Sequence, residues 1–254
     1  MSKNFELMQQ AGMERKIAPT PELMTGFSVD DVTGNGHRNG TGLDLDQMAR
    51  EESLKLVERV FLLHAGECPH AVVFAGVDLG DGCSRICADT AKTLARNVSG
   101  SVCLVDANLR SPSLHRFLGV TNHHGLTDAL NQAGTIRDFT LQLRPDNLWL
   151  LSGGSFATDS PSLLSSDRLK TRLAELRKEF DYVLINVPPV ILDGTATQLG
   201  PLVDGVILVV EANLTHREVA RKAKESLEFA NARLLGAVLN NRTFPIPETI
   251  YRNI

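Results

Sequence analysis

The chain has 254 residues, of which 43% are hydrophobic, and its 26 Lys and Arg against 30 Asp and Glu give a formal net charge of −4. This composition predicts one folded domain with an additional segment. The sequence contains no Lys/Arg block with interleaved aromatic residues, which excludes ordinary nucleic-acid binding. The longest apolar runs, such as residues 206–212, are far shorter than the roughly 20 residues that cross a bilayer, so no transmembrane segment is expected.

The N-terminal part of the chain differs in composition from the rest. Residues 19–44 contain two prolines, paired aspartates and the polar run TGNGHRNGTG, and such a stretch buries too little apolar surface to offset the entropy of ordering. We therefore predict a flexible N-terminal segment and linker over residues 1–45, followed by a helix over residues 45–63. The first residues, MSKNFELMQQ, lack a hydrophobic export core, which favours a cytoplasmic protein.

A glycine-rich turn between a strand and a helix is the most informative feature of the chain. The apolar strand 72–75 leads into Gly80-Asp81-Gly82-Cys83-Ser84, and a helical apolar stripe begins at Cys87. Backbone N–H groups of such a turn and the following helix N-terminus attract phosphate. An ordinary phosphate-binding loop adds a lysine for the β- and γ-phosphates and a hydroxyl for Mg²⁺. Here Ser84 supplies the hydroxyl, but Cys83 stands where the lysine belongs.

Strands and helices alternate after this loop. This alternation predicts a doubly wound α/β domain with a mainly parallel sheet, in which ligands bind beyond the carboxyl ends of the strands. The loop, Asp106 and Asn186 all follow such strand ends, so we expect them to converge. The predicted strands after the loop are 101–107, 147–152, 181–187, 205–212 and 234–240, and the predicted helices between them include 162–179 and 215–232.

Five ordered segments of the sequence carry a family resemblance. They are LVDANLRSPSLHRFLGV (104–120), GLTDAL (125–130), LLSSDRLKTRLAELRKEFDYVLINVPPV (163–190), DGVILVVEANLTHREVARKA (204–223) and LLGAVLNNR (234–242). Together they resemble the cytoplasmic domain of bacterial tyrosine kinases (BY-kinases), P-loop ATPases linked to capsule and exopolysaccharide assembly, within the wider MinD/ParA-like superfamily. The resemblance implies a P-loop kinase-like domain over residues 46–245 and a C-terminal tail over residues 246–254.

The resemblance also implies a nucleotide site, with several departures. Asp106 would be the catalytic base or a water-mediated Mg²⁺ ligand. Leu79, Cys83 and Arg85 depart from the family loop, and Cys83 replaces its lysine. In the other motifs, Asn108 and Asn186 replace carboxylates. The implied nucleotide-binding residues are Gly80, Asp81, Gly82, Cys83, Ser84, Arg85, Arg110, Asn240 and Arg242, and the implied but degenerate Mg²⁺ site is Ser84, Asp106 and Asn186.

These departures favour a protein with weak or no ATP turnover. Losing one charged hydrogen bond weakens ATP binding by roughly 10–100-fold, whereas losing one preorganised group that faces transition-state charge costs about 10²–10³ in rate. We therefore expect a pseudokinase or regulator of exopolysaccharide or capsule biosynthesis. It would bind either ATP or ADP with Mg²⁺ or no nucleotide at all. One alternative is an active tyrosine kinase with an atypical loop, in which Arg85 replaces the lysine. The other is a MinD/ParA-like positioning ATPase.

Partners and thiol chemistry complete the expectations. The resemblance implies a membrane polysaccharide co-polymerase or transmembrane activator as partner, a location at the inner membrane through that partner, and self-association into a homo-oligomer. Cys83 begins the predicted helix, and a helix N-terminus can lower the pKa of a thiol. A redox-sensing Cys83 is therefore an alternative to an inert buried thiol.

Overall fold

The computed structural model of the protein describes residues 45–63, 68–145, 147–154 and 167–241, with side chains in the first helix described from Ala49 onward. The predicted linker before Leu45, the predicted tail 246–254 and the candidate ligand Arg242 lie outside these residues. The domain division therefore stays a prediction.

Seven strands and seven α-helices make up the described part of the chain. The strands are β1 (Ala71–Gly76), β2 (Val102–Asp106), β3 (Leu141–Gln142), β4 (Leu148–Leu151), β5 (Tyr182–Val187), β6 (Gly205–Glu211) and β7 (Leu234–Asn240). The helices are α1 (Leu45–Val57), α2 (Cys83–Asn97), α3 (Leu114–Leu118), α4 (Leu126–Asn131), α5 (Asp167–Glu179), α6 (Thr195–Leu199) and α7 (Arg217–Phe229). Short 3-10 turns cover Ile136–Phe139 and Gly200–Leu202.

The strands form one sheet in the order β3-β4-β2-β5-β1-β6-β7. All neighbours are parallel except β3, which pairs antiparallel with β4. The predicted doubly wound, mainly parallel sheet is therefore confirmed, and the six predicted strands are all present. Sequence analysis missed β3 because two exposed residues carry no strand periodicity.

Two hydrophobic layers sandwich the central strands, as expected for a parallel sheet covered on both faces. On one face, Val72 and Phe74 of β1 pack with Cys87, Ala91 and Leu94 of α2. The opposite face carries the alternate residues of β1, and α5 covers it through the predicted stripe of Leu169, Leu173 and Leu176. Each fully buried aliphatic side chain contributes about 1.5–3 kcal/mol, so this core holds the strand ends in fixed positions.

Several predicted helix bounds need correction. The helix predicted over 45–63 is α-helical only to Val57 and continues as a π-helix over Glu58–Leu62, in which Phe61 is buried. The helix predicted over 215–232 is shorter, because α7 begins at Arg217 and ends at Phe229. The described part of the helix predicted over 162–179 begins at Asp167. Within the described ranges, no helix has the length and apolar character needed to cross a membrane.

Candidate nucleotide-binding site

The sequence-predicted site residues follow the carboxyl ends of three adjacent strands. In the sheet β5 lies between β1 and β2, and Asn186 of β5 is in register with Asp106 of β2 on one side and Phe74 of β1 on the other. The chain leaves β1 at Gly76 and forms the glycine-rich loop that ends where α2 begins at Cys83. The predicted convergence of the loop with the two polar residues is confirmed.

The loop depends on glycine at the position just before α2. Gly82 has a positive φ of 76°, and a Cβ at this residue would collide with Nδ2 of Asn240. That amide donates a 2.9 Å hydrogen bond to the backbone oxygen of Asp81. Asn240, at the end of β7, thus holds the loop through its Nδ2, and its implied role at the adenine base stays a prediction.

Asp81 points into the loop instead of toward solvent. The residue is 4% exposed, its Oδ1 accepts a 3.0 Å hydrogen bond from the backbone N–H of Cys83, and its Oδ2 is buried with no hydrogen-bond partner of good geometry. Burial raises the pKa of this carboxyl group to about 6, although the backbone N–H groups of Cys83, Asp78 and Val77 oppose the shift. The carboxyl group therefore lies among loop N–H groups and is poorly satisfied there.

The thiol of Cys83 is buried in the hydrophobic layer between α2 and the sheet. It is 6% exposed and packs in the same cluster as Cys87, one helical turn later. Burial, helped by the neighbouring Asp81 carboxylate, raises the pKa of Cys83 well above its ordinary value. The structure thus contradicts the idea of a low-pKa, redox-sensing Cys83, because the loss of hydration outweighs the attraction of the helix N-terminus.

Thiol labelling of the folded protein should therefore distinguish the four cysteines. Cys68 is partly exposed, whereas Cys83, Cys87 and Cys103 are buried and burial raises the pKa of each of these three thiols. With a disulfide reagent at about pH 8, we expect about one fast-reacting thiol in the native protein and all four in denaturant. A Cys68→Ser variant should lose the fast phase, and a fast phase that persists in this variant would contradict the assignment.

Asp106 is engaged by the protein itself. It is fully buried, and its Oδ2 accepts hydrogen bonds from the N–H groups of Ser113 and Leu114 at 2.8 and 2.9 Å. Its Oδ1 accepts from the amide of Asn186 at 3.1 Å and the N–H of Asn108 at 3.3 Å. Burial raises the pKa of this carboxyl group despite these bonds. Asp106 therefore caps the start of α3 and ties β2 to β5.

The residues implied for Mg²⁺ fit that ion poorly. Mg²⁺ favours carboxylate oxygens and retained water molecules. The set of Ser84, Asp106 and Asn186 offers one carboxylate, and both of its oxygens already accept hydrogen bonds. The Oδ1 atom of Asn186 is buried without a hydrogen-bond partner, so it could accept from one water molecule but brings no charge. Within the described ranges, no group of three or more His, Cys, Asp or Glu residues could hold a metal ion.

Both candidate arginines form ion pairs with neighbouring carboxylates. Arg85, on the first turn of α2, is 70% exposed and its Nε lies 3.7 Å from Asp89 one turn later. Arg110 is also exposed, with its Nε 3.3 Å from Oδ2 of Asp193 in the loop after β5. Sequence analysis did not identify Asp193, because only the fold brings the segments after β2 and β5 together. In this arrangement neither arginine substitutes for the missing lysine.

Comparisons with known proteins agree with this geometry. A family model described as cellulose biosynthesis protein BcsQ matches residues 70–233. The tyrosine-protein kinase YwqD of Bacillus subtilis is 32% identical over 163 residues, which cover 64% of this chain and 68% of YwqD. The succinoglycan biosynthesis transport protein ExoP of Rhizobium meliloti is 27% identical over 179 residues, which cover 69% of this chain and 23% of that protein.

Solved structures of related proteins have the same fold. The crystal structure of the VpsO kinase domain superposes with a TM-score of 0.70 at 25% identity, covering 80% of this chain and 100% of that one. More distant structures show that the fold is the one found in P-loop NTPases of the MinD/ParA type. The extent of the family match and the identity to YwqD show that the chain belongs to the BcsQ-like family of P-loop proteins, together with the bacterial tyrosine kinases.

Proposed function

We propose that this chain is a BY-kinase-like regulator of exopolysaccharide or capsule biosynthesis that transfers phosphate very slowly or not at all. The observation that carries the proposal is Cys83, a neutral, buried thiol at the position of the catalytic lysine. Phosphoryl transfer depends almost entirely on positioning and on stabilising developing charge. A thiol buried in the core supplies neither.

The residues at the positions of the family's acidic Mg²⁺ ligands support the same proposal. Asn186 stands where an active relative would carry a carboxylate, and both oxygens of Asp106 are bound within the protein. Arg85 and Arg110 each pair with an aspartate. ATP or ADP with Mg²⁺ is thus at most a weak ligand here, and its binding would have a regulatory rather than a catalytic consequence.

The proposed partner is a membrane polysaccharide co-polymerase or transmembrane activator. The name of the ExoP relative, a succinoglycan biosynthesis transport protein, and the cellulose-biosynthesis description of the family model support a role in polysaccharide assembly. We accordingly propose a cytoplasmic location at the inner membrane through this partner, with self-association into a homo-oligomer as part of the same assembly.

Radiolabel transfer from γ-labelled ATP tests the proposal. The purified chain with Mg²⁺ should release phosphate and label tyrosine hardly faster than a protein-free blank, because no side chain of the loop brings a cation to the phosphates. The kinase name of the YwqD relative favours the alternative of an active enzyme. Turnover that clearly exceeds the blank would end the present proposal, and its loss in Arg85→Ala would establish that alternative.

A further inference from the structure

The carboxyl group of Asp81 folds back within the glycine-rich loop toward Gly76. A Cβ placed on Gly76, where the chain leaves β1, would collide with the Asp81 carboxyl group, so this group lies directly over the Gly76 backbone. The carboxyl group thus bridges from the end of the loop back to its beginning. It is 4% exposed, whereas Asp78 on the same loop is exposed.

The surroundings of this carboxyl group are those of an anion-binding site. Oδ1 accepts from the N–H of Cys83, which is the first residue of the fifteen-residue helix α2. The N–H groups of Val77 and Asp78 also face it and favour its charged form. Loop N–H groups and a helix N-terminus are the groups that bind phosphate in this type of loop. The buried Oδ2 has no hydrogen-bond partner of good geometry, so the carboxylate uses these N–H groups incompletely.

We infer that the Asp81 carboxylate occupies the phosphate position of the loop, so that Asp81, together with Cys83, decides whether this chain binds a polyphosphate. A carboxylate and a phosphate oxygen compete for the same N–H groups, and two anions cannot share them. The loop is thus occupied by its own side chain at neutral pH. The inference deepens the proposed function, on which it rests, because it names the residue that keeps nucleotide out.

Protonation of the Asp81 carboxyl group should weaken its interaction with the loop N–H groups. The carboxyl pKa of about 6 means that the charged form dominates above that pH and the neutral form below it. The ionisable groups that face Asp81 are Glu211 at the end of β6, which raises this pKa, and the thiol of Cys83, whose own pKa is raised so that it stays neutral. Anion affinity should therefore rise as the pH falls through about 6.

Calorimetric titration with inorganic pyrophosphate, at about pH 8 and without metal, tests the inference. Asp81→Ala should bind at least about tenfold more tightly than the wild-type protein. Asp78→Ala removes the same charge from the exposed part of the loop and should change the affinity by less than about threefold. Equal effects of the two substitutions would show general charge repulsion and overturn the inference, as would an unchanged affinity in Asp81→Ala.

Two further measurements keep the inference testable if Asp81→Ala folds poorly. Asp81→Asn removes the charge but keeps a side chain of almost the same size, so this variant should also bind pyrophosphate more tightly at about pH 8. In the wild-type protein, binding of sulfate should strengthen between about pH 8 and pH 5.5, whereas in Asp81→Asn it should not depend on pH in this range. A flat profile in the wild-type protein overturns the inference.

These results are independent of the test of the proposed function. Pyrophosphate and sulfate report on the loop alone, whereas label transfer from ATP reports on catalysis. An Asp81→Ala protein that binds pyrophosphate no better than wild type would refute the inference and leave a non-catalytic regulator standing. A wild-type protein that transfers phosphate rapidly would refute the proposed function, whatever the titrations gave.

Discussion

Replacing Arg172 by leucine is expected to lower the free energy of unfolding by about 2–3 kcal/mol. Arg172 is 9% exposed on α5. Its guanidinium donates to the backbone oxygens of Ala129, Gln132 and Gly134 at 2.7–2.9 Å and lies 2.6 Å from Glu175. The three carbonyl groups lie in and just after the last turn of α4, where the helix itself provides no donors. Leucine would leave the oxygen of the buried Ala129 unpaired, whereas the oxygens of the exposed residues Gln132 and Gly134 would turn to water.

Arg168→Leu is the matched control on the same helix. Arg168 is exposed and donates one hydrogen bond of 3.0 Å to the oxygen of Leu130. Its loss should cost less than about 1 kcal/mol, because water can replace it. Urea unfolding followed by circular dichroism would give both values, and Arg172→Lys should fall between them. Similar losses for Arg168→Leu and Arg172→Leu would show that the carbonyl contacts contribute little.

Arg172 also illustrates what the sequence could and could not predict. The apolar stripe of α5 was identified from its periodicity, because Leu169, Leu173 and Leu176 recur at helical spacing and are buried. Arg172 falls at the i+3 position of the same stripe, but the sequence does not say which groups a charged residue on this face would meet. Its partners are about 40 residues away in sequence. Only the packing of α5 against α4 reveals its role.

In the candidate site, too, the sequence could predict some features and not others. The strand ends and the parallel sheet follow from the alternation of apolar strands with helices, so the meeting of the loop with Asp106 and Asn186 was predictable. The orientation of the individual side chains was not. The carboxylate of Asp106 turns toward the start of α3, and that of Asp81 turns toward Gly76, because each finds backbone N–H groups there. These choices depend on loop dihedral angles that sequence periodicity does not encode.

The inward orientation of Asp81 changes what restoring the lysine should do. An ammonium group introduced by Cys83→Lys would find the Asp81 carboxylate close to the start of α2, since Oδ1 lies 3.0 Å from the backbone nitrogen of residue 83. The flexible lysine side chain can bring its ammonium group to this carboxylate, and opposite charges within about 4–6 Å attract each other strongly in a partly desolvated site. The new lysine would then neutralise Asp81 instead of binding phosphate, and the loop would stay occupied.

The double substitution Cys83→Lys with Asp81→Ala is therefore expected to raise ATP affinity by about 100–1000-fold over wild type. The charged hydrogen bond contributes about 1.5–3 kcal/mol, which is roughly 10–100-fold, and the vacated loop contributes about tenfold. Cys83→Lys alone should gain less than about threefold, so the two substitutions should be strongly coupled in a double-mutant cycle. Titration calorimetry with ATP on the four proteins measures this coupling.

A neutral residue at position 83 separates the effect of charge from the effect of shape in this double-mutant cycle. Cys83→Ser with Asp81→Ala has an open loop without a cation, and it should bind ATP no better than Asp81→Ala alone. If Cys83→Lys by itself gave the whole gain, the lysine would reach the phosphates past an intact Asp81, and the carboxylate would not occupy their position. Full coupling would instead mean that two neighbouring residues limit nucleotide binding in this chain, Cys83 because it brings no cation and Asp81 because its carboxylate is turned into the loop.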